Sequence, residues 1–173
     1  MPEENIYALW LVPGGDTYKE LSALITRLAK SHGAPVFEPH VTLLSGIKNE
    51  GEDELLRLTH LLATRVEPFE VKLAETRYMD DYYRCLFLMA EPTDGLIRAN
   101  IEAKLVMAEL IGQQEFYPHL SLLYGEFFPM VKEAIIADIG ARMDISFTAD
   151  KVKLLRVTGG PADWKPLGEF RFQ

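Results

Sequence analysis

Two short segments of the chain pair a histidine with a hydroxyl residue at the same spacing. Residues 39–46 (PHVTLLSG) and 118–125 (PHLSLLYG) are identical at five of eight positions. In a strand, residues i and i+2 point to the same face, so His40 projects with Thr42 and His119 with Ser121. An internal repeat of this kind predicts two related halves whose His-x-[Ser/Thr] faces meet across one cleft.

Two imidazoles and two hydroxyls around a cleft suit the hydrolysis of a phosphodiester. A neutral histidine can take a proton from water, while an opposite, protonated histidine donates one to the leaving oxygen. The hydroxyls can hydrogen-bond the non-bridging oxygens of the phosphate. The repeat therefore predicts that His40, Thr42, His119 and Ser121 are catalytic and that no metal is required.

A single histidine on an apolar strand is more often a hydrogen-bonded core residue, so the prediction depends on the pair. The other two histidines, His32 before Gly33 and His60 between Leu58 and Leu62, have no hydroxyl companion. We expect both to be surface or capping residues. Zinc catalysis is an alternative with little support, because His40 and His119 would be two ligands without a third at a compelling spacing.

The elements that must position these residues mix strands and helices along the chain. Strand patterns cover residues 6–12, 36–44, 69–78, 84–90, 118–124, stretches of 145–157, and 170–172. Helical patterns cover residues 17–30, 52–64, 94–111 and 129–139. Thr17 and Glu20 have the spacing of a capping box, and Thr93 or Asp94 can cap the third helix. On that helix, one face carries Ile97, Ile101, Leu105 and Ala108. The pattern predicts one α+β domain over residues 1–173.

Composition limits where this domain works and what it binds. The 173 residues include 26 acidic and 18 basic ones, so the net charge is -8, which disfavours long nucleic acids. The single cysteine, Cys85, allows no intramolecular disulfide. Neither a signal peptide nor a membrane span is visible. We expect a cytoplasmic monomer that uses no cofactor and acts on a small molecule.

The two tetrads, HVTL and HLSL, resemble the signature of the 2H phosphoesterase superfamily. Within it the chain is most similar to the plant and yeast cyclic phosphodiesterases, through IYALWLVP, FEPHVT, YYRCLFL and PHLSLLY. The resemblance spans nearly the whole chain. It implies a bilobal pseudo-twofold fold in which two antiparallel sheets line a central cleft with helices outside, and it assigns the catalytic positions to the same four residues.

The resemblance also implies the substrates. They are nucleoside 2',3'-cyclic phosphates, opened to 2'-phosphates, and ADP-ribose 1'',2''-cyclic phosphate, opened to ADP-ribose 1''-phosphate. Aromatic residues at Tyr83, Tyr124 and Trp164 would bind the substrate by stacking. Strict alternation places Tyr124 on the face opposite Ser121 unless Gly125 bends the strand. Two alternatives stay open: an RNA 2',3'-cyclic phosphodiesterase that acts on RNA ends, and a non-catalytic nucleotide-binding module.

Overall fold

A computed structural model describes residues 4–49 and 51–173 of the chain. Its eight strands are β1 (Ile6–Leu11), β2 (Val41–Lys48), β3 (Phe69–Tyr78), β4 (Leu86–Ala90), β5 (His119–Leu123), β6 (Arg142–Ala149), β7 (Lys151–Arg156) and β8 (Lys165–Arg171). Its α-helices are α1 (Gly15–His32), α2 (Glu52–Ala63), α3 (Asp94–Val106) and α4 (Pro129–Ile139). The predicted α+β class is confirmed.

The strands form one continuous antiparallel sheet with the order β6-β3-β4-β5-β2-β1-β7-β8. Strands β2, β1, β7 and β8 make up what we call the first lobe, and β6, β3, β4 and β5 make up the second lobe. The lobes join where Val41 of β2 pairs with Leu120 of β5. The two predicted sheets therefore meet edge to edge, and the two repeated strands are the ones that meet.

The apolar face of the repeated strands fixes their orientation. Val41, Leu43, Leu120 and Leu122 are fully buried, as the alternation predicts. Helix α1 covers this core with Leu21, Ile25 and Leu28 on its buried face. Burial of these side chains holds the polar face of each motif toward the opposite side of the sheet.

Two local predictions for the helix boundaries are wrong. Helix α1 begins at Gly15 rather than at 17, its N-cap is Gly14, and no side chain caps it. Thr17 instead donates its hydroxyl to the Ser146 carbonyl at 3.5 Å, so the capping box does not form. Helix α3 ends at Val106 and not at residue 111. Its predicted Thr93 cap is present, since the Thr93 hydroxyl accepts the Leu96 N–H at 3.4 Å.

The apolar face predicted for α3 points outward. Ile101 and Leu105 are 50% and 61% exposed, whereas Leu96 and Ala103 are fully buried. Small alanines let the helix approach its neighbours closely, and Asn100 donates to the Leu43 carbonyl at 2.9 Å. A specific hydrogen bond and close packing therefore outweigh the larger side chains on the other face.

The C-terminal region contributes three strands. The β-patterned region 145–157 divides into β6 and β7, and the last strand is longer than the predicted 170–172. Within the described residues, no helix has the length and apolar character needed to cross a membrane.

Candidate active site

The structure brings the four motif residues together at the junction of the lobes. His40 directly precedes β2 and His119 begins β5, and the antiparallel pairing of Val41 with Leu120 brings both histidines to this junction. With Thr42 and Ser121 they line a cavity of about 440 Å³, which we call the histidine cavity. Tyr83, Tyr124 and Trp164 line it too, so all seven residues predicted from the sequence border one cavity.

The two imidazoles are held in the same way. His40 Nδ1 lies 2.6 Å from the carbonyl oxygen of Glu38, and His119 Nδ1 lies 2.6 Å from that of Tyr117. A carbonyl oxygen can only accept, so Nδ1 carries the hydrogen in both rings. In the neutral form, Nε2 of each ring is then the nitrogen with a free lone pair. Each lobe therefore presents its histidine in the tautomer that a proton acceptor at Nε2 requires.

His40 lies deep in an aromatic environment. Its ring stacks on Trp10 at a centroid distance of 3.5 Å and an angle of 6°, and the edge of Trp164 lies 6.4 Å away. Burial lowers the pKa of His40 to about 3, although the bond to the Glu38 carbonyl acts in the opposite direction. Repulsion from the charges of His119 and Lys153 contributes to this lowering of the pKa. His40 is accordingly neutral at pH 7 when no anion is bound.

Glu38 is itself fixed by two other elements. Its side chain accepts a hydrogen bond from Tyr18 of α1 at 3.0 Å and pairs with Lys153 of β7 at 2.5 Å. The Glu38–Lys153 pair is mostly buried. Because the Glu38 carbonyl holds His40, these contacts set the position of the imidazole.

His119 is less enclosed than His40. The Phe87 ring lies 5.1 Å away in an edge arrangement. Burial again lowers the pKa of His119, the bond to the Tyr117 carbonyl raises it, the Arg84 charge lowers it, and the Asp81 charge raises it. Both histidines are thus neutral in the ligand-free protein at pH 7.

The two hydroxyls differ more than the repeat suggests. Within the described residues, Thr42 makes no hydrogen bond through its side chain, and it is free to contact a ligand. Ser121 donates its hydroxyl hydrogen to the Tyr83 carbonyl at 2.8 Å. A serine hydroxyl has one hydrogen, so Ser121 can donate to a phosphate only by giving up this contact.

The three predicted aromatic residues form one cluster. Tyr83 and Tyr124 have ring centroids 5.1 Å apart, and each lies about 6 Å from Trp164, at 6.1 and 6.0 Å. Strand β5 ends at Leu123, so Tyr124 is free of the alternation and reaches the cavity wall, where it stacks on Phe37 at 3.7 Å. Burial raises the pKa of the Tyr124 phenol well above its ordinary value.

The cavity residues that sequence reasoning did not single out include Trp10, Asp81 and Arg84. Trp10 lies in an apolar run that reads as an ordinary buried strand, and only its pairing opposite Thr42 brings it to the site. The polar loop between β3 and β4 was a signal for Asp81 and Arg84, because charged residues between two apolar strands are exposed to a cleft or to solvent.

The remaining titratable candidates lie elsewhere. His60 is exposed on α2 beside Phe170, and His32 lies in the last turn of α1 near the edge of Phe127. Cys85 is buried, and burial raises the pKa of its thiol, which makes it a poor nucleophile. Over the part of the chain that the structure describes, no three His, Cys, Asp or Glu side chains are grouped as a metal site would need.

Solved structures of other proteins share this fold. Among solved structures, TT0787 of Thermus thermophilus superimposes with a TM-score of 0.70 at 19% identity, covering 96% of this chain and 97% of that one. E. coli LigT complexed with 3'-AMP gives a TM-score of 0.68 at 17% identity and covers 99% of both chains. At these identities the likeness shows the fold alone.

The family follows from the sequence comparisons. The chain belongs to the family of cyclic phosphodiesterase-like proteins, whose model matches residues 6–172. A 2',3'-cyclic-nucleotide 3'-phosphodiesterase of Kluyveromyces lactis is 28% identical over 160 residues, which cover 81% of this chain and 73% of the relative. The resemblance noted from the sequence is confirmed, and with it, at the level of the family, the prediction of a cyclic phosphodiesterase.

Proposed function

We propose that the protein hydrolyses small cyclic phosphodiesters with two histidines and without a metal. The substrates would be nucleoside 2',3'-cyclic phosphates, opened to 2'-phosphates, and ADP-ribose 1'',2''-cyclic phosphate, opened to ADP-ribose 1''-phosphate. One observation carries the proposal: two neutral imidazoles, each fixed through Nδ1 to a backbone carbonyl, line one cavity together with a hydroxyl two residues further on.

The reaction needs one histidine in each protonation state. Nε2 of one ring accepts a proton from water, the water oxygen bonds to phosphorus, and the other ring gives a proton to the ester oxygen that leaves. Both rings are neutral in the free protein, so the acid must gain its proton as the substrate binds. An anionic phosphate beside an imidazole favours its charged form, so the substrate itself helps to protonate the acid.

A small substrate suits the cavity better than a long RNA. The net charge is -8, and Arg84 is the single lysine or arginine on the cavity wall within the described residues. RNA held along its backbone needs several such cations. The aromatic cluster can instead stack one base, which is worth roughly 1–3 kcal/mol and tolerates any base. The name of the Kluyveromyces lactis relative supports a cyclic nucleotide as the substrate.

The proposal is tested by a panel of substrates offered to the purified protein. The panel contains the four 2',3'-cyclic mononucleotides, ADP-ribose 1'',2''-cyclic phosphate and an RNA that ends in a cyclic phosphate. Phosphorus NMR identifies the product, and we expect 2'- or 1''-phosphates from the small substrates and unchanged rates in EDTA. Faster turnover of the RNA end would favour the RNA phosphodiesterase, and binding without turnover would favour a nucleotide-binding module.

A further inference from the structure

Arg84 is the one permanent cation on the wall of the histidine cavity, as far as the described residues show. The other fixed charges of this wall are the carboxylates of Asp81 and Glu115. The histidines are neutral without a ligand, so among the described residues that line the cavity an anion meets no other full positive charge. Arg84 is therefore the residue of the cavity wall that can pair with a bound anion.

Asp81 holds the Arg84 side chain in place. Asp81 Oδ1 accepts the backbone N–H groups of Tyr83 and Arg84 at 3.0 and 3.2 Å, while Oδ2 accepts Arg84 Nη2 and Nε at 2.8 and 3.3 Å. The carboxylate thus has four donors and is fully used. Within residues 4–49 and 51–173, Nη1 of Arg84 has no protein partner, so the guanidinium is fixed with N–H groups to spare.

Hydrogen bonds from outside the cavity hold the loop that carries Arg84 in place. Lys132 of α4 has a side chain only 2% exposed, and its Nζ donates to the Met79 carbonyl at 2.9 Å and to Asp80 Oδ1 at 2.8 Å. The backbone N–H of Met79 donates to the Arg84 carbonyl at 3.0 Å, which closes the loop on itself. Arg84 is therefore positioned before any ligand arrives.

Arg84 lies beside the catalytic residues of the second lobe. The Ser121 hydroxyl donates to the carbonyl of Tyr83, which directly precedes Arg84 in the chain. The Arg84 charge also acts on His119, whose pKa it lowers. A phosphate bound at His119 and Ser121 would therefore lie near the Arg84 charge.

We propose that Arg84 is a further catalytic group, whose free N–H groups contact a non-bridging oxygen and stabilise the negative charge that builds up on the phosphate as the ring opens. This inference rests on the proposed function. As the water oxygen bonds to phosphorus, its proton passes to one histidine, and the ester oxygen that leaves takes the proton of the other. The non-bridging oxygens carry more negative charge in this transition state than in the closed ring, so a fixed cation there accelerates the step.

The test compares two variants of Arg84 with a matched control. Arg84→Gln removes the charge, Arg84→Lys keeps it, and Arg57→Gln removes an exposed arginine of α2 that does not line the cavity. With a 2',3'-cyclic nucleotide we expect Arg84→Gln to lower kcat about a hundredfold with a smaller change in KM, since the lost contact strengthens in the transition state. Arg84→Lys should recover part of kcat, and Arg57→Gln should match the wild type. A loss confined to KM, or rates within about twofold of the wild type, would overturn the proposal.

A binding measurement tests the contact between Arg84 and the phosphate even if the wild type does not turn over these substrates. Calorimetry should show that Arg84→Gln weakens binding of a nucleoside 2'-monophosphate by about tenfold and leaves binding of the nucleoside unchanged, because only the phosphate contacts the guanidinium. Equal weakening of both ligands would mean that Arg84 merely shapes the loop. Inactivity of the wild type would instead count against the proposed function. A defect seen only with substrates that carry a second phosphate would also contradict the assignment to the scissile phosphate.

Discussion

The first and second lobes hold their histidines with the same backbone contact but in different surroundings. His40 stacks under Trp10 and is fixed through Glu38 by the mostly buried partner Lys153. His119 is more open and faces Arg84 and Asp81, whose charges act on it in opposite directions. A repeated motif therefore gives both rings the same tautomer, while the non-repeated residues around each ring set how readily it takes a proton. The two lobes are alike in geometry and unlike in electrostatics.

Loss of either imidazole is the largest change that this comparison predicts. We expect His40→Ala and His119→Ala each to lower kcat/KM for a 2',3'-cyclic nucleotide by about 10²–10⁴-fold, because general acid and base catalysis contribute that much. Steady-state assays measure the loss, and circular dichroism checks the fold. His60→Ala is the control, because His60 is an exposed histidine of α2. Full activity in either cavity variant would refute the two-histidine mechanism.

We expect loss of a hydroxyl to lower kcat/KM less than loss of an imidazole, and to lower it by different amounts in the two lobes. Thr42 has no competing partner within the described residues, whereas the Ser121 hydrogen is engaged by the Tyr83 carbonyl. We expect Thr42→Ala to lower kcat/KM by about tenfold or more, the value of a hydrogen bond to a charged group, and Ser121→Ala to lower it less. Thr42→Ser, which keeps the hydroxyl, should stay near the wild type. The reverse order for the two alanine variants would show that Ser121 turns toward the phosphate when substrate binds.

The pH profile reports the two histidines together. The ratio kcat/KM depends on the free protein, requires one neutral and one protonated histidine, and is largest midway between their two pKa values. Both pKa values lie below the ordinary value of about 6.5. We therefore expect the maximum on the acid side of pH 6.5, with a rate that falls as the pH rises above it. A maximum above pH 7 would contradict the description of both sites as desolvated.

The pH dependence of the free energy of unfolding should also differ between the two histidines. This is the smallest of the expected effects. The pKa of His40 is lower in the folded than in the unfolded chain, so the unfolded chain binds more protons between pH 6.5 and about 3. The contribution of His40 to the free energy of unfolding is thus complete above pH 6.5 and declines as the pH falls through this window. Denaturant titrations should show a shallower decline in His40→Ala than in the wild type, and an intermediate slope in His119→Ala. Equal slopes in both variants would mean that the two rings are equally buried.

Much of the fold could be predicted because apolar residues recur at a regular spacing and because proline and glycine mark the ends of several elements. Strand β3 and helix α4 begin and end where the sequence pattern places them. The outward face of α3 could not be predicted, since the packing of Ala103 and the hydrogen bond of Asn100 depend on partners far away in the chain. Tyr124 was predicted at the cavity from the family resemblance although alternation argued otherwise, and the end of β5 at Leu123 removes that conflict.

The sequence by itself determined the candidate reacting groups: two histidines, each with a hydroxyl residue two positions further on, along strands whose apolar face must be buried. Local spacing decides this, because side chains two apart on a strand share a face whatever the rest of the chain does. Tertiary structure alone decided what surrounds each histidine. Trp10, Lys153 and Arg84 come from separate elements, β1, β7 and the loop before β4, and only the strand order of the sheet brings them to His40 and His119. Burial and charge at a site are sums over such neighbours, so the repeat could predict the reacting groups but not the difference between them.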